Sequence, residues 1–146
     1  MQVEAIHVGA ARAAELTAVG SVEAVAGKGL VGDRHFHEGG ARPGHALTLV
    51  EAEAVDDVGL PPGGTRRQVT VRGVRLNELV GARFRVGEVE CYGVELCEPC
   101  AHLEAMTRPG IVKELVHRAG INADILTGGT IAVGDRVVVL QPAPAL

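Results

Sequence analysis

Short runs of alternating apolar and polar residues, separated by glycine and proline, make up most of the chain. Alternation with a period of two is typical of strands that bury one face, whereas an amphipathic helix needs a period of about 3.6. The pattern predicts strands at residues 2–8, 46–50 and 69–71, a short helix at 51–58 and one helical turn at 76–80. The sequence therefore favours a mostly β protein, a β-rich α+β fold with a few short helices.

A repeated Val-Gly-acid sequence predicts two hairpins. In the first, a two-residue turn at 87–88 pairs Phe84 with Cys91, so that apolar side chains share one face. The same sequence recurs at 133–135, and we interpret both as hairpins of one barrel-like sheet. The side chains expected to point into that sheet are Phe84, Val86, Val89, Val133, Val137 and Val139.

One amphipathic helix is predicted between the hairpins, at residues 109–119. Thr107 can cap it, Pro109 suits its first turn and Gly120 follows its end. Its apolar stripe consists of Val112, Leu115, Val116 and Ala119. We expect Leu115 and Val116 to pack against the barrel.

Length and composition narrow the classes of function. A chain of 146 residues is about one domain long, so we expect a single domain at 1–141 and a flexible tail at 142–146. The net charge of −4 and an aromatic content of 2% argue against a nucleic-acid partner, because such partners need basic surfaces or stacking platforms. No segment approaches the roughly 18 apolar residues of a membrane span. We expect a cytoplasmic protein that uses no membrane.

Three cysteines, an odd number, are typical of a reducing compartment rather than of a disulfide framework. Cys97 and Cys100 form a Cys-x-x-Cys motif that leaves a strand and precedes a short helical segment. We expect Cys100 in the first helical turn, where free N–H groups favour a thiolate. Such a thiolate can attack an electrophile, carry sulfur or bind a soft metal. Cys91 is expected to be buried and inert, and Cys97 to be partly covered.

Other interpretations of this motif stay open at the level of sequence. A structural zinc site lacks a second cysteine pair unless His102 and a distant histidine complete it. A c-type haem site would need histidine where Ala101 stands, and a thioredoxin-like dithiol belongs in a βαβ context. A last interpretation is that both cysteines are small buried residues at the end of a strand, without a chemical role.

Two polar clusters are further candidates for binding. Strand alternation would place Asp33, His35 and His37 on one face, as ligands or proton-transfer groups, with His45 near them. The alternative is an ion pair of Asp33 with Arg34 beside surface histidines. The second cluster is the Thr-Arg-Arg-Gln sequence at 65–68, whose guanidinium groups suit phosphate or carboxylate unless the loop is merely solvated.

Five segments taken together resemble the MOSC domain, the domain named for the C-terminal part of molybdenum-cofactor sulfurases. They are GLVGDRH at 29–35, LTLVEAEA at 47–54, RRQV at 66–69, EPC at 98–100 and TIAVGDRV at 130–137. The resemblance runs from about residue 2 to about residue 140 with the segments in family order. It implies a barrel-like, β-rich fold. One departure is Gln68, where the family usually has asparagine.

The resemblance also implies a function in molybdenum-cofactor binding or in carrying sulfur, as a persulfide, for metal-sulfur cofactor assembly. By motif, Cys100 matches the family's catalytic and metal-binding cysteine. The residues expected to bind the cofactor in the same concavity are Asp33, Arg34, His35, Arg66 and Arg67. In this scheme the two adjacent arginines hold the pterin phosphate and the 33–35 loop shapes the pocket.

Alternatives within the resemblance are a molybdenum-dependent reductase of N-hydroxylated compounds and a non-catalytic module that delivers the cofactor. The partners implied are a sulfur donor, a molybdoenzyme or a redox protein. The resemblance does not separate an enzyme from a carrier.

Overall fold

The structure, a computed structural model, describes residues 1–12 and 14–145. The strands are β1 (Gln2–Val8), β2 (Thr17–Val19), β3 (Ser21–Val25), β4 (Gly29–Leu30), β5 (Leu47–Glu51), β6 (Val69–Arg72), β7 (Arg83–Val86), β8 (Val89–Leu96), β9 (Ile121–Ile125), β10 (Gly129–Ala132) and β11 (Val137–Gln141). The helices are α1 (Ala52–Asp57), α2 (Ala101–Met106) and α3 (Ile111–Leu115), with a 3₁₀ helix at Leu76–Leu79. The mostly β fold with few short helices is confirmed.

One curled sheet dominates the fold. Its eight strands lie in the order β11-β7-β8-β9-β5-β6-β1-β2, and only β5 and β6 run parallel. A smaller sheet has the order β10-β3-β4. The large sheet curls until the start of β11 meets β1: Val3 N donates to Asp135 O at 2.8 Å, and Val137 N donates to Met1 O at 3.1 Å. This near closure produces the barrel-like shape and pairs backbone groups that an open edge would expose.

The first predicted hairpin is confirmed. Phe84 lies opposite Cys91 and Val86 opposite Val89, and these four side chains are buried in the main core. Gly87 provides the turn with a φ of 59°, in the left-handed region that glycine adopts without strain.

The second predicted hairpin is wrong. β10 pairs with β3 and β11 pairs with β7, so residues 133–136 connect two sheets instead of turning between paired strands. Val137 is buried as expected, but Val133 is 47% exposed because it lies in this connection. Val139 lies opposite Phe84 on the neighbouring strand and is still 40% exposed, since β11 is the terminal strand and is only partly covered.

The predicted helix at 109–119 is shorter than expected. It begins after Gly110, whose φ is 91°, and ends at Leu115, two residues before His117 adopts a φ of 61°. Thr107 does not cap it. Thr107 is instead the C-cap residue of α2, and its hydroxyl donates to Leu103 O of that helix at 2.7 Å. The predicted stripe is partly wrong, because Val116 is 48% exposed.

The three α-helices share a second apolar core, separate from that of the barrel. Leu103 of α2 packs there with Ile111 and Leu115 of α3, against residues at the end of α1. Leu115 is therefore buried as predicted, but its partners are helices rather than barrel strands. This core anchors α2 directly after the Cys-x-x-Cys loop. None of the helices in residues 1–12 and 14–145 is long and apolar enough to cross a membrane.

Candidate functional site

A cleft of about 410 Å³ lies where several loops converge on the sheet. Its walls come from the loop after β1, the 33–45 loop, residues 66–68 before β6, and the segment that joins β8 to α2. Among the residues predicted from the sequence, those that line it are Arg34, His35, Arg66, Arg67 and Cys100. Segments far apart in sequence are thus brought to one concave surface.

Asp33, the remaining predicted residue, lies beneath the cleft. Its side chain has no exposed surface, and both carboxylate oxygens accept hydrogen bonds. Oδ1 accepts from Gly9 N at 2.9 Å and from Arg34 Nη1 at 3.3 Å; Oδ2 accepts from His35 N at 3.0 Å and from Gln68 Nε2 at 2.7 Å. The carboxylate therefore joins three chain segments and supports the wall that carries Arg34 and His35.

The segment around Asp33 is a turn, not the strand that alternation suggested. Phe36 N donates to Asp33 O at 3.0 Å, which closes a turn directly after β4. Residues 33–37 therefore do not form the strand that was expected to place His35 and His37 on one face, although, after burial and Arg34, the positive charges of His37 and His45 still lower the pKa of His35, as expected for neighbouring groups. His35 lines the cleft, whereas the ring of His37 lies edge-on to that of His45, with centroids 6.4 Å apart.

Gln68 is buried and links Asp33 to β5. Its Nε2 donates to Asp33, its Oε1 accepts from Thr48 N at 2.8 Å, and its own N–H donates to Thr48 Oγ1 at 2.9 Å. The amide thus needs both a donor and an acceptor end at this position. In the sequence Gln68 stands out only as a departure from the family pattern, and no local signal indicates this role.

Two arginines form a cationic wall in the cleft. Arg34 Nη2 donates to Arg66 O at 3.4 Å, and Arg66 Nη2 donates to Ala14 O at 2.8 Å. Burial and the neighbouring Arg34 lower the pKa of Arg66, while Asp33 raises it. Because only one buried carboxylate, that of Asp33, acts on these two guanidinium groups, this wall carries a net positive charge that suits an anion.

Arg66 also has a strained backbone, with a φ of 63°. A residue other than glycine pays a steric cost in this left-handed region of φ, and such strain is concentrated at functional sites. Arg12, from the loop after β1, adds a fourth guanidinium to the lining, beside those of Arg34, Arg66 and Arg67, and was missed at the sequence level. Its position depends on how that loop folds back, for which the sequence carries no local signal.

Arg67 is held differently from Arg66. Its Nε donates to Ala119 O at 2.8 Å, and its Nη2 donates to Cys97 O at 2.9 Å and to Glu98 O at 3.4 Å. Most of its guanidinium donors are thereby used by backbone carbonyls. Although Arg67 lines the cleft, its geometry is that of a brace for the Cys-x-x-Cys loop rather than of a free anion clamp.

Three histidines line the cleft: His35, His45 and His102. The pKa of His35 is lowered by desolvation within the cleft and by the nearby positive charge of Arg34, against an opposing effect of Asp33. His102 Nε2 is buried and has no hydrogen-bond partner. An unpaired buried nitrogen is costly, and a ligand in the cleft would satisfy it. The signal for His102 was its place two residues after Cys100.

The three cysteines differ in environment in the predicted order. Cys91 is fully buried, and burial together with Asp124 raises the pKa of its thiol to about 12. Cys97 is partly buried, and this burial raises the pKa of its thiol although Arg67 opposes the effect. Cys100 is exposed and lies at the N-cap of α2, one residue before the first turn where it was expected.

The residues described by the structure contain no group of three or more histidine, cysteine or acidic side chains arranged to hold a metal ion. A structural zinc site built on His102 is therefore not supported in this part of the chain. The cleft instead combines one exposed thiol with cationic and histidine side chains. Such a set of side chains suits an anionic ligand, with a thiol within the same cleft.

Comparisons with known proteins bear on both fold and family. The sequence model described as the MOSC domain matches residues 33–138. Among solved structures, the YuaD protein from Bacillus subtilis superposes with a TM-score of 0.80 at 16% identity, over 99% of this chain and 96% of that chain. YiiM from Geobacillus stearothermophilus superposes with a TM-score of 0.72 at 19% identity, over 96% of this chain and 75% of that chain.

YiiM from Escherichia coli gives a TM-score of 0.69 at 15% identity, over 100% of this chain and 73% of that chain. At such identities these superpositions show a shared fold. A search of curated proteins found no match to this chain.

Proposed function

This chain belongs to the MOSC domain family, and from that premise we propose that its cleft binds a molybdenum cofactor through Cys100. The observation that carries the proposal is the common location of an exposed thiol and a cationic wall in one cleft. The cofactor is a pterin with a phosphate at one end and a metal-binding sulfur pair at the other. It would therefore present an anion to the cationic wall and a metal to the thiol.

In this proposal Cys100 supplies a thiolate ligand to the metal. Arg34 and Arg66, with Arg12 in the same lining, would hold the phosphate, because their positive charge complements it. When bound, the cofactor supplies metal-centred electron or sulfur transfer.

The other residues of the cleft support that ligand. Asp33 fixes the cationic wall from below, and Arg67 fixes the cysteine loop. His102 Nε2 is buried without a partner, and in this proposal it would bond the ligand.

Sulfur carriage is the second function that we propose for this site. It is favoured by the exposure of Cys100 at the cleft and by the presence of Cys97 in the same lining. Cys100 would attack the outer sulfur of a persulfide on a donor protein, taking that sulfur and releasing the donor thiolate. A reductase of N-hydroxylated compounds, supplied with electrons by a redox partner, and a cofactor-delivery module would use the same cleft.

The binding proposal is tested by producing the chain in a host that makes the cofactor and in one that lacks pterin synthesis. We expect molybdenum by elemental analysis, and oxidised pterin by fluorescence, only from the first host. Cys100→Ser should lose most of the molybdenum, and the pair Arg34→Gln with Arg66→Gln should lose pterin and molybdenum together. Arg75→Gln is the matched control, since Arg75 is an exposed arginine outside the cleft. Wild-type protein without either component contradicts the proposal.

Intact-mass measurement separates the second function from the first. A persulfide adds one sulfur atom to the chain and should disappear in Cys100→Ser. Reduction of an N-hydroxylated substrate with an artificial electron donor would then identify an enzyme, whereas bound cofactor without turnover identifies a carrier. Equal retention of sulfur by Cys100→Ser and wild type would exclude Cys100 as the carrier.

A further inference from the structure

Two of the three thiols in this chain lie in the same cleft. Cys97 and Cys100 both line it, with Glu98 and Pro99 between them, whereas Cys91 is sealed in the barrel core. Burial raises the pKa of the Cys97 thiol, and Arg67 opposes that effect. The two cysteines are three residues apart, and both line the cleft from the short segment that joins β8 to α2.

The two thiols are presented in different ways. Cys97 is fixed on both sides of its backbone: its N–H donates to Gly120 O at 2.8 Å, and its carbonyl accepts from Arg67 Nη2 at 2.9 Å. Cys100 is exposed at the start of α2. One sulfur is therefore open to large reagents and partner proteins, while the other is screened from them and faces the same space.

We infer that Cys97 is the resolving thiol for Cys100. Cys97 Sγ attacks Cys100 Sγ whenever Cys100 Sγ is bonded to a second sulfur. The Cys97 thiol gives up its proton to solvent in the cleft, Cys97 Sγ forms the Cys97–Cys100 disulfide, and the bond between Cys100 Sγ and the outer sulfur breaks. The outer sulfur leaves with the electron pair of the broken bond.

This inference rests on the sulfur-carrying function proposed for Cys100 and adds the step that unloads it. From a persulfide, the leaving group is hydrosulfide: the outer sulfur is reduced while the two cysteine thiols are oxidised to the disulfide. A dithiol reductant, either a small molecule or a protein, returns the disulfide to two thiols. The product of one turnover is thus sulfide at the cleft where the cofactor is proposed to bind.

Screening and proximity together make Cys97 suited to this step. A partly buried thiol meets external disulfides slowly, because they must enter the cleft to reach it. Attack on Cys100 is intramolecular, and a well-placed group gains a large effective concentration over a reagent in solution. Loading and release are thereby assigned to different sulfurs, Cys100 for the first and Cys97 for the second.

The aromatic disulfide dithiobis(nitrobenzoate) tests the exchange directly, without any sulfur donor. In the wild type we expect a first, reagent-dependent release of thionitrobenzoate from Cys100, then a second equivalent released at a rate independent of reagent concentration. Intact mass should show an unlabelled chain that has lost two hydrogen atoms, and peptide mapping should place the disulfide at 97–100. Cys97→Ser should release one equivalent and retain the adduct.

Cys91→Ala is the control for the third thiol and should behave like the wild type. A second phase that accelerates with reagent concentration, or a wild-type chain that keeps its adducts, overturns the inference even if Cys97→Ser does not fold. Polysulfide is the second probe: the wild type should release sulfide, and Cys97→Ser should hold the added sulfur. Failure of the wild type to take up sulfur contradicts the carrier function, while the exchange with the aromatic disulfide still decides the role of Cys97.

Discussion

Replacing Asp33 by asparagine removes the buried negative charge that holds Arg34 and the rest of the cationic wall in position. The carboxylate accepts four hydrogen bonds, two on each oxygen, and its side chain is fully buried. An asparagine amide retains one acceptor oxygen and turns an NH₂ group towards the other pair of donors. Two hydrogen bonds to a charged acceptor are then lost, at about 1.5–3 kcal/mol each.

The expected loss of unfolding free energy for Asp33→Asn is therefore about 3–6 kcal/mol, a large share of the about 5–15 kcal/mol that stabilises a typical domain. Urea unfolding followed by far-ultraviolet circular dichroism measures it, since the chain has no tryptophan to report by fluorescence. Because no solvent reaches the carboxylate, screening does not reduce this value.

A second replacement tests the origin of that loss. Gln68→Glu in the Asp33→Asn background lets a carboxylate at position 68 accept from the new amide and still accept from Thr48 N. We expect the double variant to recover part of the lost stability, which a double-mutant cycle would report as coupling. A loss below about 1 kcal/mol for Asp33→Asn, or strictly additive effects of the two changes, would refute the hydrogen-bond argument.

Two further predictions concern the helical core and pH. Leu115→Ala should lower the unfolding free energy by about 2–5 kcal/mol because the side chain is fully buried. The exposed Val116 is the comparison, and Val116→Ala should lower it by less than about 0.5 kcal/mol. Equal urea midpoints for the two variants would contradict the assigned packing. Burial lowers the pKa of His7 from its ordinary 6.5, so below about that pH the unfolded chain protonates His7 more readily than the folded chain does. Stability should therefore fall as the pH drops below about 6.5, and His7→Gln should flatten that fall in unfolding curves; an unchanged slope would show that His7 does not contribute.

Local patterns determined much of the fold. The alternation around Gly87 and the turn chemistry of glycine gave the correct register of the β7–β8 hairpin, because the pairing partners are separated by a two-residue turn. The first strand, the helix after β5 and the burial order of the three cysteines are also local properties, and each was predicted correctly. The resemblance carried by short segments located Cys100, Arg34 and Arg66, which do line one cleft.

Only tertiary structure decided which strands meet over long distances and what each polar side chain contacts. β10 and β11 look like one hairpin in the sequence but pair with β3 and β7, strands that are distant in sequence and reach them only after the chain has folded back. Arg66 and Arg67 are neighbours in sequence, yet one faces the cleft with a strained backbone and the other braces the cysteine loop. A guanidinium group acts according to the acceptors within its reach, and those acceptors come from segments tens of residues away.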